Sequence, residues 1–378
     1  MKNFVYHHPT RVVFGRRGLN KLGGECAAYG KKLLLLYGQS HFRAGAGYPL
    51  ATASLRKAGI SWLELGGIGP NPTLELVRRG IAMAREHRIE VVAAVGGGSV
   101  LDSAKAVAAG ACVEHDVWLF FRGKKSVRRA LPVICVPTLA GSGSEYNHGM
   151  VLSNPATGQK IGLGNRHLLP KVAIMDPELS FTAPWEQSLY GAVDAGTHLL
   201  EIALGPQAGR RESWRLQDRV AAALLQSIMD SCELIRSDPA DYRARSELLW
   251  ASALTLGGLN QTGRGRVEMP VHLLAHTLGG RWPQIPHGAW LAILLPPWLK
   301  LAPNRNPPPG AILAPKITAW QKWLQRVNAP DRLSQLNLSP PPPDPDLLVK
   351  EALGQSRQRS RPEIGPELLA ILRSVSSN

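Results

Sequence analysis

Asp194 and His198 stand four residues apart in the stretch GAVDAGTHLLE, and His272 and His276 repeat that spacing in VHLLAH. Residues four apart lie on one face of a helix, one turn above the other. A further histidine, His287, follows in IPHG. A lone histidine pair on a helix is compatible with an ordinary core. Two pairs at that spacing, one of them with a carboxylate, and a fourth histidine beside a glycine are the residue types that hold a metal. One carboxylate with several imidazoles suits Fe2+, Zn2+ or Ni2+ better than Mg2+ or Ca2+, which prefer all-oxygen shells.

Two glycine loops carry a second kind of chemistry. Residues 96–105 read GGGSVLDSAK directly after the apolar run EVVAAV. This is a strand, a glycine turn and a helix start. Glycine lets the backbone approach a ligand closely, and the first amides of a helix are unpaired and attract anions such as pyrophosphate. Gly97, Gly98 and the Ser99 hydroxyl therefore form a candidate phosphate site, although the spacing is not that of the GxGxxG fingerprint. The second loop, PTLAGSGSE (137–145), again puts small and hydroxyl residues after a strand ending at Val136. Ligands of open parallel sheets bind at that carboxyl edge.

The elements that must position these groups change character along the chain. Short apolar runs at 33–37, 61–65, 90–95 and 131–136 alternate with helical patterns near 49–57 and from Thr73, a predicted N-cap, to Glu86. Continuous apolar strands between amphipathic helices imply a parallel sheet covered on both faces. Phe4–Tyr6 and Val12–Phe14 read as two strands of a hairpin. Beyond Pro184 long helical patterns dominate, at 187–204, 212–235, 241–259 and from Val271 onward. The fold class expected is an α/β domain with a parallel sheet (1–183) followed by an all-α domain (184–378). Pro307–Pro309 and the run 340–345 (PPPPDP) read as stiff extended loops.

Composition bounds the alternatives. The chain has 378 residues, 44 Lys plus Arg against 28 Asp plus Glu, and a formal net charge of +16. The basic residues are spread out, densest at 122–129 and 357–361, and neither run accompanies a nucleic-acid motif. The excess reads as solvated charge with some attraction for anionic cofactors. No apolar run is long enough to span a bilayer, and the N-terminal stretch has no apolar segment of a secretory signal. The expectation is a cytoplasmic protein with neither nucleic-acid nor membrane partners. Cys26, Cys112, Cys135 and Cys232 are scattered and read as free thiols.

GGGSVLDSAK, PTLAGSGSE, DPEL (176–179), DAGTH and HLLAH followed ten residues later by HG occur in this order. Together they resemble the iron-containing alcohol dehydrogenase family over roughly residues 1–300. HPTRVVFG, LGGIGPNPT and DVWLFF look closest to its butanol dehydrogenase branch of aldehyde reductases. The resemblance implies a dinucleotide-binding first domain (1–183), a helical metal-binding second domain (184–378) and an active site between the two. It implies Asp194, His198, His272 and His287 as ligands of one divalent metal, with Gly97, Gly98 and Ser99 at the pyrophosphate. Thr138, Leu139 and Ser142 match the segment lining the cofactor, Asp102 and Lys160 match polar positions near it, and His276 matches a proton-relay histidine. A homodimer is implied by analogy with the branch. Three features depart from the family pattern: His276 to His287 is one residue longer, His148 replaces a small residue, and the proline-rich end beyond about 300 has no match.

The activity implied is hydride transfer between a nicotinamide cofactor and a small aldehyde or alcohol, with the metal polarising the substrate oxygen. After the strand ending at Tyr37 come Gly38, Gln39, Ser40, His41, Phe42 and Arg43, with no acid to pair with a free ribose 2′-hydroxyl. Ser40 and Arg43 suit a 2′-phosphate, so NADP(H) is expected over NAD(H). The same-fold alternatives are a glycerol-phosphate dehydrogenase and a dehydroquinate synthase-like enzyme. A metal-dependent hydrolase leaves the glycine loops without a role. A nucleic-acid-binding protein has only the net charge in its favour.

Overall fold

The computed structural model describes residues 2–205, 215–301, 311–355 and 362–376. The first part runs β1 (Arg11–Phe14), α1 (Leu22–Ala27), β2 (Lys32–Gly38), α2 (Ser40–Ala44), α3 (Gly47–Lys57), β3 (Ser61–Ile68), α4 (Leu74–Glu86), β4 (Val91–Gly96), α5 (Gly98–Gly110), α6 (Trp118–Phe121), β5 (Val133–Pro137), β6 (Gly149–Asn154), β7 (Gln159–Gly164) and β8 (Val172–Met175). Six strands form a parallel sheet in the order β1-β8-β5-β4-β2-β3, and β6 and β7 form a separate antiparallel hairpin.

The apolar run of β2 shows why its strand has no polar face. Leu34 and Leu36 enter the core shared with α4 and α5, whereas Leu33, Leu35 and Tyr37 enter the core on the opposite face. Both faces are buried, so both sets of alternating positions must be apolar. Thr73 caps α4 as the sequence predicts, its hydroxyl accepting from the Leu76 amide. Sequential connections leave β4 for β5 on one side and β2 for β3 on the other. The loops after β2, β4 and β5 therefore gather where ligands of such sheets bind.

The predicted N-terminal hairpin is not formed. Phe4–Tyr6 has no strand, and β1 pairs in parallel with β8. The register is set across the chain, by the Arg11 amide on the Lys171 carbonyl (3.0 Å) and the Thr10 hydroxyl on the Pro170 carbonyl (2.7 Å). His8 stacks on Tyr146 and bonds its carbonyl, and the Lys2 amide reaches the Gly263 carbonyl. Residues 2–8 are thus drawn over the helical part, away from any hairpin partner.

The second part is helical: α7 (Trp185–Leu204), α8 (Arg215–Ser237), α9 (Tyr242–Leu256), α10 (Pro270–Arg281), α11 (His287–Lys300), α12 (Ala314–Arg326), α13 (Pro345–Gln355) and α14 (Gly365–Ser376). α7 is the axis of this core. From Gly191 to Leu204 every residue is buried, and α8, α9 and α11 pack round it. Trp290, Trp298, Trp320 and Trp323 fill the space beyond it. The predicted start of α8 at 212, the prolines at 307–309 and the basic run 357–361 lie outside the described residues. Pro340–Pro343 carry no regular structure, but Pro345 opens α13, where its fixed φ suits a helix start. The β6–β7 hairpin joins the two parts, with α5 against β6 and α10 against β7.

Candidate active site

Three helices bring the predicted ligands together. α7 carries Asp194 and His198 one turn apart, His272 is in the first turn of α10, and His287 begins α11. Among the described residues, Asp194, His272 and His287 offer ligand atoms that all lie within 4.8 Å of one another. His198 completes the cluster from the side. Its Nδ1 is 3.5 Å from Asp194 Oδ1, and its ring stacks on His272 with centroids 4.1 Å apart. The extra residue between His276 and His287 therefore does not pull His287 away.

The electrostatics suit a cation. Burial disfavours the Asp194 carboxylate, but His198, His272 and His287 outweigh it and hold the group well below the usual carboxylate range. Burial and the neighbouring His272 push His198 down to about 3, and burial pushes His287 well below its ordinary value. Both are neutral at physiological pH, the form in which imidazole binds metals. His198 Nδ1 and His287 Nδ1 are buried without hydrogen-bond partners. Buried polar atoms of that kind are costly unless something satisfies them. Ionised carboxylate, neutral imidazoles and unpaired nitrogens together fit a divalent metal.

His272 differs from its neighbours. Burial lowers its affinity for a proton, but Glu201 and Asp194 raise it to about 9. Glu201 carries no motif of its own in the sequence. The available signal is its place on α7, three residues beyond His198 and seven beyond Asp194, on the same helical face.

His276 lies beside the cluster, its ring stacked on His287 with centroids 5.2 Å apart and packed over Gly162 of β7. Burial, then His287 and Lys160, keep it well below its ordinary pKa. Lys160, two residues earlier on β7, donates to Asn71 Oδ1 at 2.8 Å, and burial lowers it to about 8. The Asn71 amide donates to the Pro283 carbonyl at 2.7 Å, linking the β3–α4 loop to the loop before α11.

The glycine loops meet as well. Gly97 precedes α5 and Gly98 opens it, and a Cβ on Gly98 would stand 2.4 Å from Ser142 Oγ. Only glycine lets the two loops touch. Leu139 packs near Gly97, and the Thr138 amide bonds the Gly96 carbonyl at 3.1 Å. The Ser99 hydroxyl donates to the Pro70 carbonyl. Asp102 is turned inward, and its oxygens accept from the Ser144 hydroxyl (2.6 Å) and the Val151 amide (2.9 Å). It fastens the second loop and β6 to α5.

At the end of β2, Gly38 lies beside Val100 and the Ile68 carbonyl. The Ser40 side chain lies outside the described residues. Arg43 donates to Tyr37 Oη (2.9 Å) and to Glu64 (3.1 Å). Glu64, on the neighbouring strand β3, also accepts from Tyr37, Tyr48 and Trp62. The loop after β2 holds no acid, but the next strand brings one to Arg43. His148 packs over Gly164 and lines a cavity of about 320 Å³ beneath residues 3–8, which no predicted ligand or cofactor residue lines.

A parallel sheet with phosphate-suited loops at its carboxyl edge, joined to a helical domain with a carboxylate–imidazole cluster, defines a class of nicotinamide- and metal-dependent oxidoreductases. The sequence profile of iron-containing alcohol dehydrogenase matches residues 9–177, and that of the Fe-containing alcohol dehydrogenase family C-terminal domain matches 188–339. The chain belongs to the iron-containing alcohol dehydrogenase family and is an NAD(P)H-dependent alcohol or aldehyde oxidoreductase. It is 37% identical over 306 residues to a probable NADH-dependent butanol dehydrogenase 2 of Bacillus subtilis, covering 81% of this chain and 77% of that one. It is 32% identical to an NADPH-dependent aldehyde reductase of Escherichia coli, covering 78% and 75%. The crystal structure of NADH-dependent butanol dehydrogenase A from Thermotoga maritima superposes with a TM-score of 0.90 at 35% identity, covering 99% of both chains. The likeness thus continues past residue 300, where the sequence motifs run out. The same-fold and hydrolase alternatives are not favoured by these relatives.

Proposed function

We propose that the protein reduces small aldehydes to alcohols, and the reverse, with one divalent metal held by Asp194, His198, His272 and His287. The observation that carries this reading is the convergence of Asp194, His272 and His287 from three helices onto one point. Fe2+ and Zn2+ suit the donors best, with Ni2+ next. When bound, the metal supplies Lewis acidity and the nicotinamide supplies hydride. The chain's own residues do the rest. Gly97, Gly98 and Ser99 offer the helix start of α5 to the pyrophosphate, and Thr138, Leu139 and Ser142 line the cofactor. Asp102 holds that loop in place, and Lys160 sets a buried positive charge near the reacting groups. His276, neutral and stacked on His287, accepts and passes a proton at a ring nitrogen.

The acid-free loop from Gly38 through Ser40 to Arg43 supports NADPH as the preferred cofactor. A specific observation favours NADH instead: Glu64 already partners the charge of Arg43. We divide the domains at 183/184, between the end of β8 at Met175 and the start of α7 at Trp185. No helix among the described residues is long and apolar enough to cross a membrane. We place the protein in the cytoplasm as a homodimer, and light scattering in solution tests the dimer.

The test is nicotinamide absorbance with metal-loaded protein, butanal, and NADPH or NADH in parallel. Aldehyde-dependent oxidation is expected to fall at least 100-fold in Asp194→Ala, with cofactor binding kept. Under the NADPH reading, Arg43→Ala lowers kcat/KM for NADPH at least tenfold more than for NADH. An Asp194→Ala enzyme as active as the wild type would sink the metal reading.

A further inference from the structure

Glu201 is fully buried, and among the described residues its side-chain partners belong to the first turn of α10. Oε1 accepts from the Val271 amide at 2.6 Å and the His272 amide at 3.4 Å, and Oε2 pairs with His272 Nδ1. The first amides of a helix have no partner within it, and Met269, which precedes α10, supplies no side-chain cap. A carboxylate from α7 therefore caps α10. The same side chain grips the imidazole of a candidate ligand, whose other nitrogen, Nε2, is turned to Asp194 Oδ1 at 3.2 Å.

We propose that Glu201 is a positioning residue of the metal centre, holding the Nδ1 proton of His272 so that Nε2, beside Asp194, is the nitrogen turned to the metal. The inference rests on the metal reading above. A carboxylate only accepts hydrogen bonds, so Nδ1, facing Glu201, carries a proton. Nε2 faces Asp194 at 3.2 Å and is protonated as well while no metal is bound; a metal held there would displace that proton and take the Nε2 lone pair, leaving the Nδ1 proton on Glu201. A ligating histidine whose other nitrogen donates to a carboxylate is fixed in orientation and made more basic, and losing such a partner costs about 10–100-fold in metal affinity. One side chain ties the two tasks together, because α10 cannot dock without His272 being aimed.

Glu201→Gln separates them. Its carbonyl still accepts from the Val271 amide, which keeps the cap. Its NH2 group faces Nδ1 and leaves no acceptor for a proton there. Full-length wild type and E201Q are stripped of metal and titrated with Zn2+ against a chromogenic chelator. Histidine-selective 15N spectra of the metal-free proteins read whether His272 Nδ1 carries a proton. The expected result is a Zn2+ dissociation constant raised about 10–100-fold, with the Nδ1 proton present in the wild type and absent in E201Q. A dissociation constant within twofold of the wild type overturns the proposal, whatever happens to the melting temperature. If E201Q does not fold, the wild-type spectrum decides alone: a proton on His272 Nδ1 supports the proposal and a bare Nδ1 overturns it. A wild type that takes up no divalent metal removes the metal reading itself, and the inference with it.

Discussion

Glu145 shows how far a buried charge shapes this molecule away from the metal. It sits in the second glycine loop, almost wholly buried, near Lys105 and Asp102 of α5. Burial raises its pKa from 4.5 to about 7. Lys105, whose ammonium donates to the carbonyls of Asn147 (2.9 Å) and Gly149 (2.8 Å), opposes the shift but does not outweigh burial. The sign follows by linkage. Below about pH 4.5 the carboxyl is protonated in both folded and unfolded chains and costs nothing. Between that pH and about 7 the unfolded chain releases the proton while the folded chain keeps it, so stability falls. Glu145→Gln is therefore expected to match the wild type at pH 4 and to exceed it by on the order of 1–3 kcal/mol at pH 8. Urea denaturation at the two pH values checks this, and a difference that is the same at both would contradict it.

At the scale of elements, the contact between α7 and the second glycine loop makes the active site one unit. A Cβ on Gly191 would stand 2.1 Å from the Ala140 carbonyl oxygen, a backbone atom that cannot move aside alone. Gly191→Ala must push α7 off the loop. Overpacking of this kind costs about 1–3 kcal/mol. Since Asp194 lies one turn along, weaker cofactor binding and weaker metal binding are expected together. Calorimetry on the variant with each ligand separately measures both, and a loss of only one would contradict the coupling. The sheet was legible because β2, β4 and β5 are apolar on both faces, and Asp194 and His198 were legible because their spacing matches a helical turn. The pairing of β1 with β8 was not, because it joins residues some 160 positions apart and short apolar runs do not name their partners. Glu201 and Glu64 escaped for a related reason: an isolated acid in a sequence does not show what it will accept from.

At the scale of the whole molecule, the residues proposed for the two ligands lie in different parts of the chain. All four candidate metal ligands lie on α7, α10 and α11, whereas the phosphate-suited loops follow β2, β4 and β5. A ligand stabilises the part that must be folded to bind it. Metal at about 100 times its dissociation constant adds about 2.7 kcal/mol, and cofactor at the same excess adds a similar amount. In scanning calorimetry of stripped protein, metal is expected to raise the melting of the helical domain. NAD(P)H is expected to raise that of the sheet domain. Asp194→Ala should abolish the first shift and keep the second. Because α7 touches the second glycine loop and the β6–β7 hairpin packs against both α5 and α10, the shift with both ligands present should exceed the sum of the two single-ligand shifts. Strictly additive shifts would mean that the domains bind their ligands independently, and that catalysis relies on proximity without coupling.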